Sequence, residues 1–414
     1  MSEEKLRLKD YLKAMGPGAI MAAAIVGPGT VTTASQQGAL YGYTSLWVLL
    51  AACLIAYFFQ EPALRISIGC RESVMVGVRD HLSPGVAKFL WIVIFVGSIA
   101  FQAGNLSGAS MALEYFMPGT SNLMWAILMS LIAFIVVILN RYKIIENINQ
   151  VLVLMMVFAF VLTAFTSGPD IGDMVSEGFS FKIPGGNAVL AVSLLATTVT
   201  PNLVLGYSSF LRKKYPNSLQ PGKDIKLAKM DLGLNMFITF LITGAIIVCS
   251  ATVIHPTGKE ITSAADMAAQ LVPLLGRFAG ILFAVGLWAA AISSVLYQIS
   301  IHNALFPTAF NVDDDPKAKH NLAIVAAVSI IPVILIAFFG RSPVQLIITA
   351  QALNGIALPM VCIICWILCN KKNLLGKYAN NMRQNIVMGC VTLLTTVFAV
   401  NALVSVVKNV ISMF

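Results

Sequence analysis

The chain has 414 residues, of which 58% are hydrophobic and 11% charged, with a mean hydropathy of +0.84. Soluble proteins carry about twice that share of charge, so the composition excludes a soluble enzyme or a string of soluble domains. It leaves an all-α polytopic membrane protein, because apolar runs long enough to cross ~30 Å of hydrocarbon recur along the whole chain.

The N-terminus, MSEEKLRLKDYLK, is charged and lacks a signal-peptide cleavage pattern. Eleven spans follow, centred near Gly27, Leu54, Gly97, Leu131, Phe158, Thr200, Ile242, Leu287, Ile330, Leu358 and Val397. The joining segments are short and polar, and none holds a soluble domain. With the N-terminus on the cytoplasmic side, 22 of the 27 basic residues fall in inner segments. Only Lys182, Lys259, Arg277, Arg341 and Lys408 fall outside, so the positive-inside rule predicts a cytoplasmic N-terminus and an extracellular C-terminus. This asymmetry accounts for the net charge of +9 without nucleic acid. The expected location is the plasma (inner) membrane, crossed many times.

The first span carries AAAIVGPGTVTTAS, Ala22 to Ser35. Pro28 has no N–H to give the carbonyl of Ala24, and Gly27 and Gly29 remove the side chains that would forbid an unwound turn. A break in lipid is tolerable only where the freed backbone is buried in protein or lines a cavity. The sixth span repeats the device in LLATTVTPNLVLGYSS, where Pro201 frees the carbonyl of Thr197. Pro28 superposes on Pro201 with an offset of 173 residues, which suits one five-helix unit repeated. Five is odd, so the second unit enters the membrane from the opposite side. Paired broken helices in two inverted halves point to a midplane substrate site and a carrier working by alternating access. The expected organisation is one transporter domain over 1–414. Repeat one covers about 15–167, repeat two about 186–370, and an extra eleventh span about 384–412.

Around the breaks the polar groups are hydroxyls, amides and carbonyls: Thr30, Thr32, Thr33, Thr197, Thr198, Thr200 and Asn202. Neither quoted stretch contains Asp, Glu, His or Cys, and Met21 lies just outside the first. Oxygen-only sites suit hard cations over iron, copper or zinc. Without a carboxylate, a neutral pocket holding a hydrated ion fits better than a tight cage, since Mg2+ gives up water reluctantly. Free backbone N–H groups suit a zwitterion equally well, so cation and small organic solute both stay open at this point.

Other features read as structural. Cys362, Cys365 and Cys369 are small apolar residues of the tenth span rather than a metal site, and seven cysteines in these positions make no disulfide framework. His81, His255, His302 and His320 are scattered, and H-E-x-x-H is absent, so no enzyme is expected. Asp313–Asp315 reads as a solvated turn before the ninth span. Asp231, after a basic run, reads by default as a solvated ion pair.

Four stretches resemble the Nramp divalent-metal transporters: GPGAIMAAAIVGPGTVTTASQQGALYGYTSLWVLL, TPNLVLGYSSFL, KLAKMDLGLNMF and AQALNGIALP. The resemblance implies the inverted five-plus-five repeat of the leucine-transporter type, with broken first and sixth helices. The family's first-span motif is Asp-Pro-Gly-Asn; here Gly27 stands at the Asp and Thr30 at the Asn. In the sixth span Thr197 replaces an Ala, Thr200 a Met and Asn202 a His, while Tyr207 takes the place of a second His. Gln102 and Asn105 stand where the third span has two carboxylates of a proton path. Gln351 matches a Gln that joins the metal shell, and Asp231 matches an inner-gate position.

These departures resemble the Nramp-related magnesium transporters, a prokaryotic branch. They imply import of Mg2+, with Mn2+ as a second cargo, as a largely hydrated ion. The expected binding set is Gly27, Thr30, Thr197, Thr200, Asn202 and Gln351, with Pro28, Gly29 and Pro201 making the breaks. A proton-driven carrier needs an interior group that titrates near neutrality. Gly27, Gln102, Asn105 and Tyr207 supply none, so uncoupled transport is expected. No cofactor beyond the transported ion and no obligate protein partner is expected. The alternatives are a proton-coupled Mn2+/Fe2+ symporter, an amino-acid transporter of the same fold, or a paralogue that has lost transport.

Overall fold

The computed structural model describes residues 26–411 apart from 140, 141, 183–187, 217, 316 and 341. The expectations for the first half of span one, for the Ala24 carbonyl and for the basic N-terminal residues lie outside the described residues.

The principal helices, in chain order, are α1 (Pro28–Tyr41), α2 (Leu46–Arg65), α3 (Val74–His81), α4 (Pro84–Phe116) and α5 (Asn122–Ile138). Then come α6 (Tyr142–Thr166), α7 (Ile171–Gly178), α8 (Ala188–Thr198), α9 (Pro201–Lys214) and α10 (Pro221–Val253). The last five are α11 (Ala279–Phe310), α12 (Lys319–Phe339), α13 (Pro343–Gly355), α14 (Leu358–Asn370) and α15 (Met382–Ile411). No strand occurs among the described residues.

Local chemistry sets the starts. Proline is the first residue of α1, α4, α9, α10 and α13, where its missing N–H has no intrahelical partner to lose and its fixed φ suits the helix. The Ser73 and Ser83 hydroxyls cap α3 and α4 by accepting from Val76 N and Val86 N.

Burial is arranged for lipid. Leu54, Phe89, Ile127, Leu131, Phe158, Phe165 and Phe338 are exposed, whereas Thr30, Thr32, Thr33, Gln102, Thr198 and Gln351 are buried. A water-soluble chain would place them the other way round. Small residues let the inner helices approach closely. A Cβ on Gly108 would collide with Pro28, which brings α4 against the first break. One on Gly355 would lie 2.9 Å from the Ala196 methyl, which seats α13 on α8.

Seven stretches among the described residues are long and apolar enough to cross a membrane, or eight if the pair Leu154–Thr166 and Ile171–Gly178, bent by 109°, is one span. The sequence reading counts eleven. The difference has identifiable causes. The stretch Pro28–Cys70 joins the second half of span one to span two, α5 is apolar but has only 17 residues, and span six is two pieces of 11 and 14 residues.

The two expected breaks match in form. Gly27 and Thr200 are both extended, at ψ −175° and 132°, and the helix after each begins on proline and runs for 14 residues. A third break was not foreseen. The tenth span, read as continuous, is divided between α13 and α14. Pro359, the second residue of α14, has no N–H to offer the Gly355 carbonyl.

Candidate functional site

At the first break the Gly27 carbonyl accepts from Val31 N at 3.1 Å, which starts α1. The Gln351 side chain of α13 lies directly over Gly29, so that a Cβ there would collide with its amide. A Cβ on Gly27 would lie 2.7 Å from Ser294 Oγ and 3.7 Å from Ser294 Cβ. Both glycines are therefore covered by polar side chains from other helices. Thr30, one turn into α1, meets Thr197 at the end of α8, with the hydroxyl oxygens 2.7 Å apart. That hydrogen bond joins the two breaks directly.

At the second break Thr200 precedes Pro201 and its buried Oγ1 has no partner among the described residues. Asn202 Nδ2 donates to Gln298 Oε1 of α11 at 2.6 Å and to Ser98 Oγ of α4 at 3.3 Å. A cavity opens here, lined by Phe101, Thr197, Thr200, Asn202, Leu203, Ser294, Tyr297 and Gln298. The space it offers to the centre of a water molecule is about 10 Å3, which is room for one water. Of the six expected binding residues, Thr197, Thr200 and Asn202 line this cavity. Thr30 adjoins it through Thr197, Gly27 faces Ser294, and Gln351 covers Gly29.

Unsatisfied oxygens mark the region. Thr200 Oγ1, Asn202 Oδ1, Ser294 Oγ and Gln351 Oε1 are all buried without a hydrogen-bond partner among the described residues. Each is an acceptor that costs ~1–3 kcal/mol while unpaired, so each is suited to receive an O–H or N–H from something that enters. No group of three or more His, Cys, Asp or Glu side chains gathers anywhere among the described residues. Met21 lies outside them.

The positions matched to a proton path are buried and neutral. Gln102 Nε2 donates to the Val295 carbonyl at 3.2 Å, and Asn105 and the Tyr207 hydroxyl have no partner among the described residues. His302, on α11 one turn beyond Gln298, is enclosed by Trp91 and Phe95 with ring centroids 6.1 and 5.4 Å away.

Charge gathers instead between the C-terminal end of α2 and the N-terminal part of α10. Arg65 donates to Glu61 at 2.8 Å, Lys229 lies 2.6 Å from the other Glu61 oxygen, and Arg65 also donates to the Tyr378 carbonyl at 3.0 Å. Asp231 corrects an expectation: it is 4% exposed rather than solvated, and it interacts electrostatically with Lys214. The basic run before it suggested water, but α10 continues as one unbroken helix that carries Asp231 into the packed interior. The Asp313–Asp315 turn is exposed as expected, and Asn321 Nδ2 ties it down by donating to the Asp313 and Asp315 carbonyls. All seven cysteines are free, with Cys362, Cys365 and Cys369 buried.

Sequence reasoning missed Ser98, Ser294 and Gln298 at the cavity, and the partnership of Glu61, Arg65 and Lys229. One signal was available. Ser294, Gln298 and His302 recur every four residues along the eighth span, which puts them on one helix face.

Comparison with known proteins bears on the family and the fold. The Nramp family, described as natural resistance-associated macrophage protein-like, matches residues 18–405. The divalent metal cation transporter MntH of Caldanaerobacter subterraneus subsp. tengcongensis is 27% identical over 388 residues, 92% of this chain and 90% of that one. A crystal structure of the Eremococcus coleocola manganese transporter superposes with a TM-score of 0.78 at 16% identity, covering 96% of this chain and 87% of that one. A nucleobase-cation-symport-1 family transporter in a closed conformation with bromovinylhydantoin bound gives 0.64 at 12% identity, covering 96% and 93%. At these identities the structures bear on the fold alone.

Proposed function

The chain belongs to the Nramp family, and from that premise we propose that it imports Mg2+, with Mn2+ as a second cargo, by facilitated, uncoupled alternating access. It is a multi-pass membrane transporter, all-α, with the leucine-transporter-type inverted repeat. Family membership turns the reading from an amino acid to a divalent cation. The plasma membrane, a cytoplasmic N-terminus and an extracellular C-terminus belong to the same proposal.

One observation carries the choice of cargo. The two breaks meet through neutral hydroxyls, and the unpartnered atoms around them include four oxygens able to accept, on Thr200, Asn202, Ser294 and Gln351, against two amide nitrogens that only donate, on Gln298 and Gln351. The outer surface of a hydrated cation consists of O–H donors, which these acceptors match. A bare divalent ion would need carboxylates to replace its water, and a soft thioether or imidazole would favour Mn2+ or Fe2+ over Mg2+. Space for one water is too little for an ion with its hydration shell. Loading therefore requires the cavity to widen, and the Thr30–Thr197 bond between α1 and α8 is one contact that such opening would test.

The relatives named as divalent metal and manganese transporters favour a second reading, proton-coupled symport of Mn2+ or Fe2+. One experiment separates the two. Purified protein in liposomes is given Mg2+, Mn2+ and Ca2+ at one concentration and fixed potential, with a pH dye inside. Saturable Mg2+ entry at constant internal pH is expected. Acidification in proportion to metal entry, or entry of Mn2+ alone, would overturn the proposal in favour of the second reading.

A further inference from the structure

Ser294 combines three observations. It lies on α11, is 4% exposed, and lines the cavity beside Thr197, Thr200, Asn202 and Gln298. Its Oγ has no hydrogen-bond partner among the described residues. It also stands where a side chain at Gly27 would begin, since a Cβ there would meet Ser294 Oγ at 2.7 Å.

A serine hydroxyl in a helix often bonds back to its own backbone, as the partly buried Ser293 next to it does to the Ala290 carbonyl at 2.9 Å. Ser294 does not. Its hydroxyl has no partner among the described residues and lines a polar cavity, where it can accept from a donor that enters.

We propose that Ser294 is a specificity-determining residue of the ion site, a neutral acceptor supplied by α11 in the space that a side chain at Gly27 would occupy. It would accept a hydrogen bond from a water carried by the cation, and it makes glycine at 27 and serine at 294 a matched pair. The inference rests on the reading of the chain as a divalent-cation carrier and adds an element that neither break contains. The geometry also says how the pair can be exchanged. With Oγ removed, the nearest atom to a Cβ at 27 is Ser294 Cβ at 3.7 Å, an ordinary contact. A side chain at 27 thus requires the Ser294 hydroxyl to turn aside in the wild type, and alanine at 294 leaves its Cβ an ordinary contact.

The test uses full-length protein in liposomes with four variants: Ser294→Ala, Ser294→Thr, Gly27→Asp and the double Gly27→Asp/Ser294→Ala. Ser294→Ala should raise the Mg2+ KM about five- to tenfold, as for loss of one ordinary hydrogen bond, with the maximal rate within about twofold. Ser294→Thr keeps the hydroxyl and should stay near the wild-type KM. Gly27→Asp should transport poorly. The double variant should recover uptake and shift preference toward Mn2+ by about tenfold or more, because a carboxylate helps strip water and Mg2+ gives its water up reluctantly. Gel-filtration profiles and thermal midpoints report folding.

An unchanged KM in Ser294→Ala, or a double variant no better than Gly27→Asp alone, overturns the proposal. If Gly27→Asp does not fold, the Ala and Thr variants still decide it through KM. Wild-type protein that carries Mn2+ but not Mg2+ would sink the cargo reading, and the Mn2+ KM of the same variants would then decide the role of Ser294.

Discussion

The two helix breaks and the junction of α2 with α10 treat charge in opposite ways. Around the breaks the buried side chains described above are neutral, and several of their oxygens have no partner among the described residues. At the junction Glu61, Arg65 and Lys229 form one ionic network that ties α2 to α10 and to the Tyr378 carbonyl. Satisfied charges hold one arrangement tightly, because breaking a buried pair leaves an uncompensated ion. Unsatisfied neutral acceptors hold nothing tightly and can exchange partners at small cost. The contrast separates holding a conformation shut from handling a cargo, and it can be attacked from either side.

The largest effect is expected at the network. Glu61→Ala leaves Arg65 with its side chain 3% exposed and Lys229 with its side chain 33% exposed, both without that carboxylate. The cost should be about 3–5 kcal/mol, most of it on Arg65 because Lys229 is screened by water. A fall in the detergent thermal midpoint larger than in any variant at the breaks checks it. A midpoint like that of the wild type would mean that the network holds nothing.

Next in size is Thr200→Leu, which should overfill the cavity by ~1–3 kcal/mol and lower Mg2+ uptake about tenfold or more at low substrate. Normal uptake by a well-folded variant would remove Thr200 from the site. A smaller change is expected from Thr30→Val, which deletes the bond between the breaks and should shift the closed arrangement by ~1 kcal/mol. The readout is alkylation of a Leu203→Cys reporter at the cavity, which should speed up about fivefold. The smallest effect is the expected constancy of Mg2+ uptake across about pH 6 to 8, the range in which a histidine-based relay would titrate. A steep slope there would erase the contrast, since the neutral breaks would then depend on a proton.

The breaks at Pro28 and Pro201 were legible because proline and glycine act through the backbone, whatever their surroundings. Pro359 carries the same signal, but it sits among Ile356, Ala357, Leu358 and Met360, and without glycines or small polar residues beside it the interruption passes for part of one apolar run. Ser294 and Gln298 were visible as polar residues in a span. Their face became meaningful only once α4 and α11 lay side by side with Asn202 between them. Glu61 and Arg65 are four apart and read locally as a helix pair. That Lys229 completes them depends on the distant α10, which spacing along one helix cannot reveal. Asp231 failed for a related reason, because neighbouring lysines in sequence say nothing of which side of a helix is packed.

The neutral lining also has an electrical consequence. A carrier whose site holds a fixed carboxylate divides the membrane field between its two reorientations, one at net +1 with a divalent ion and one at −1 without. For the uncoupled carrier proposed above, with threonine, serine and amide oxygens around the breaks among the described residues, the whole charge of +2 would move in the loaded reorientation, and the return would carry none in the site. At ~2.3 kcal/mol per charge per 100 mV for a full crossing, hyperpolarisation would drive inward delivery alone. The return step would be blind to voltage, and at strongly negative potentials it would set a ceiling on the current that further polarisation could not raise.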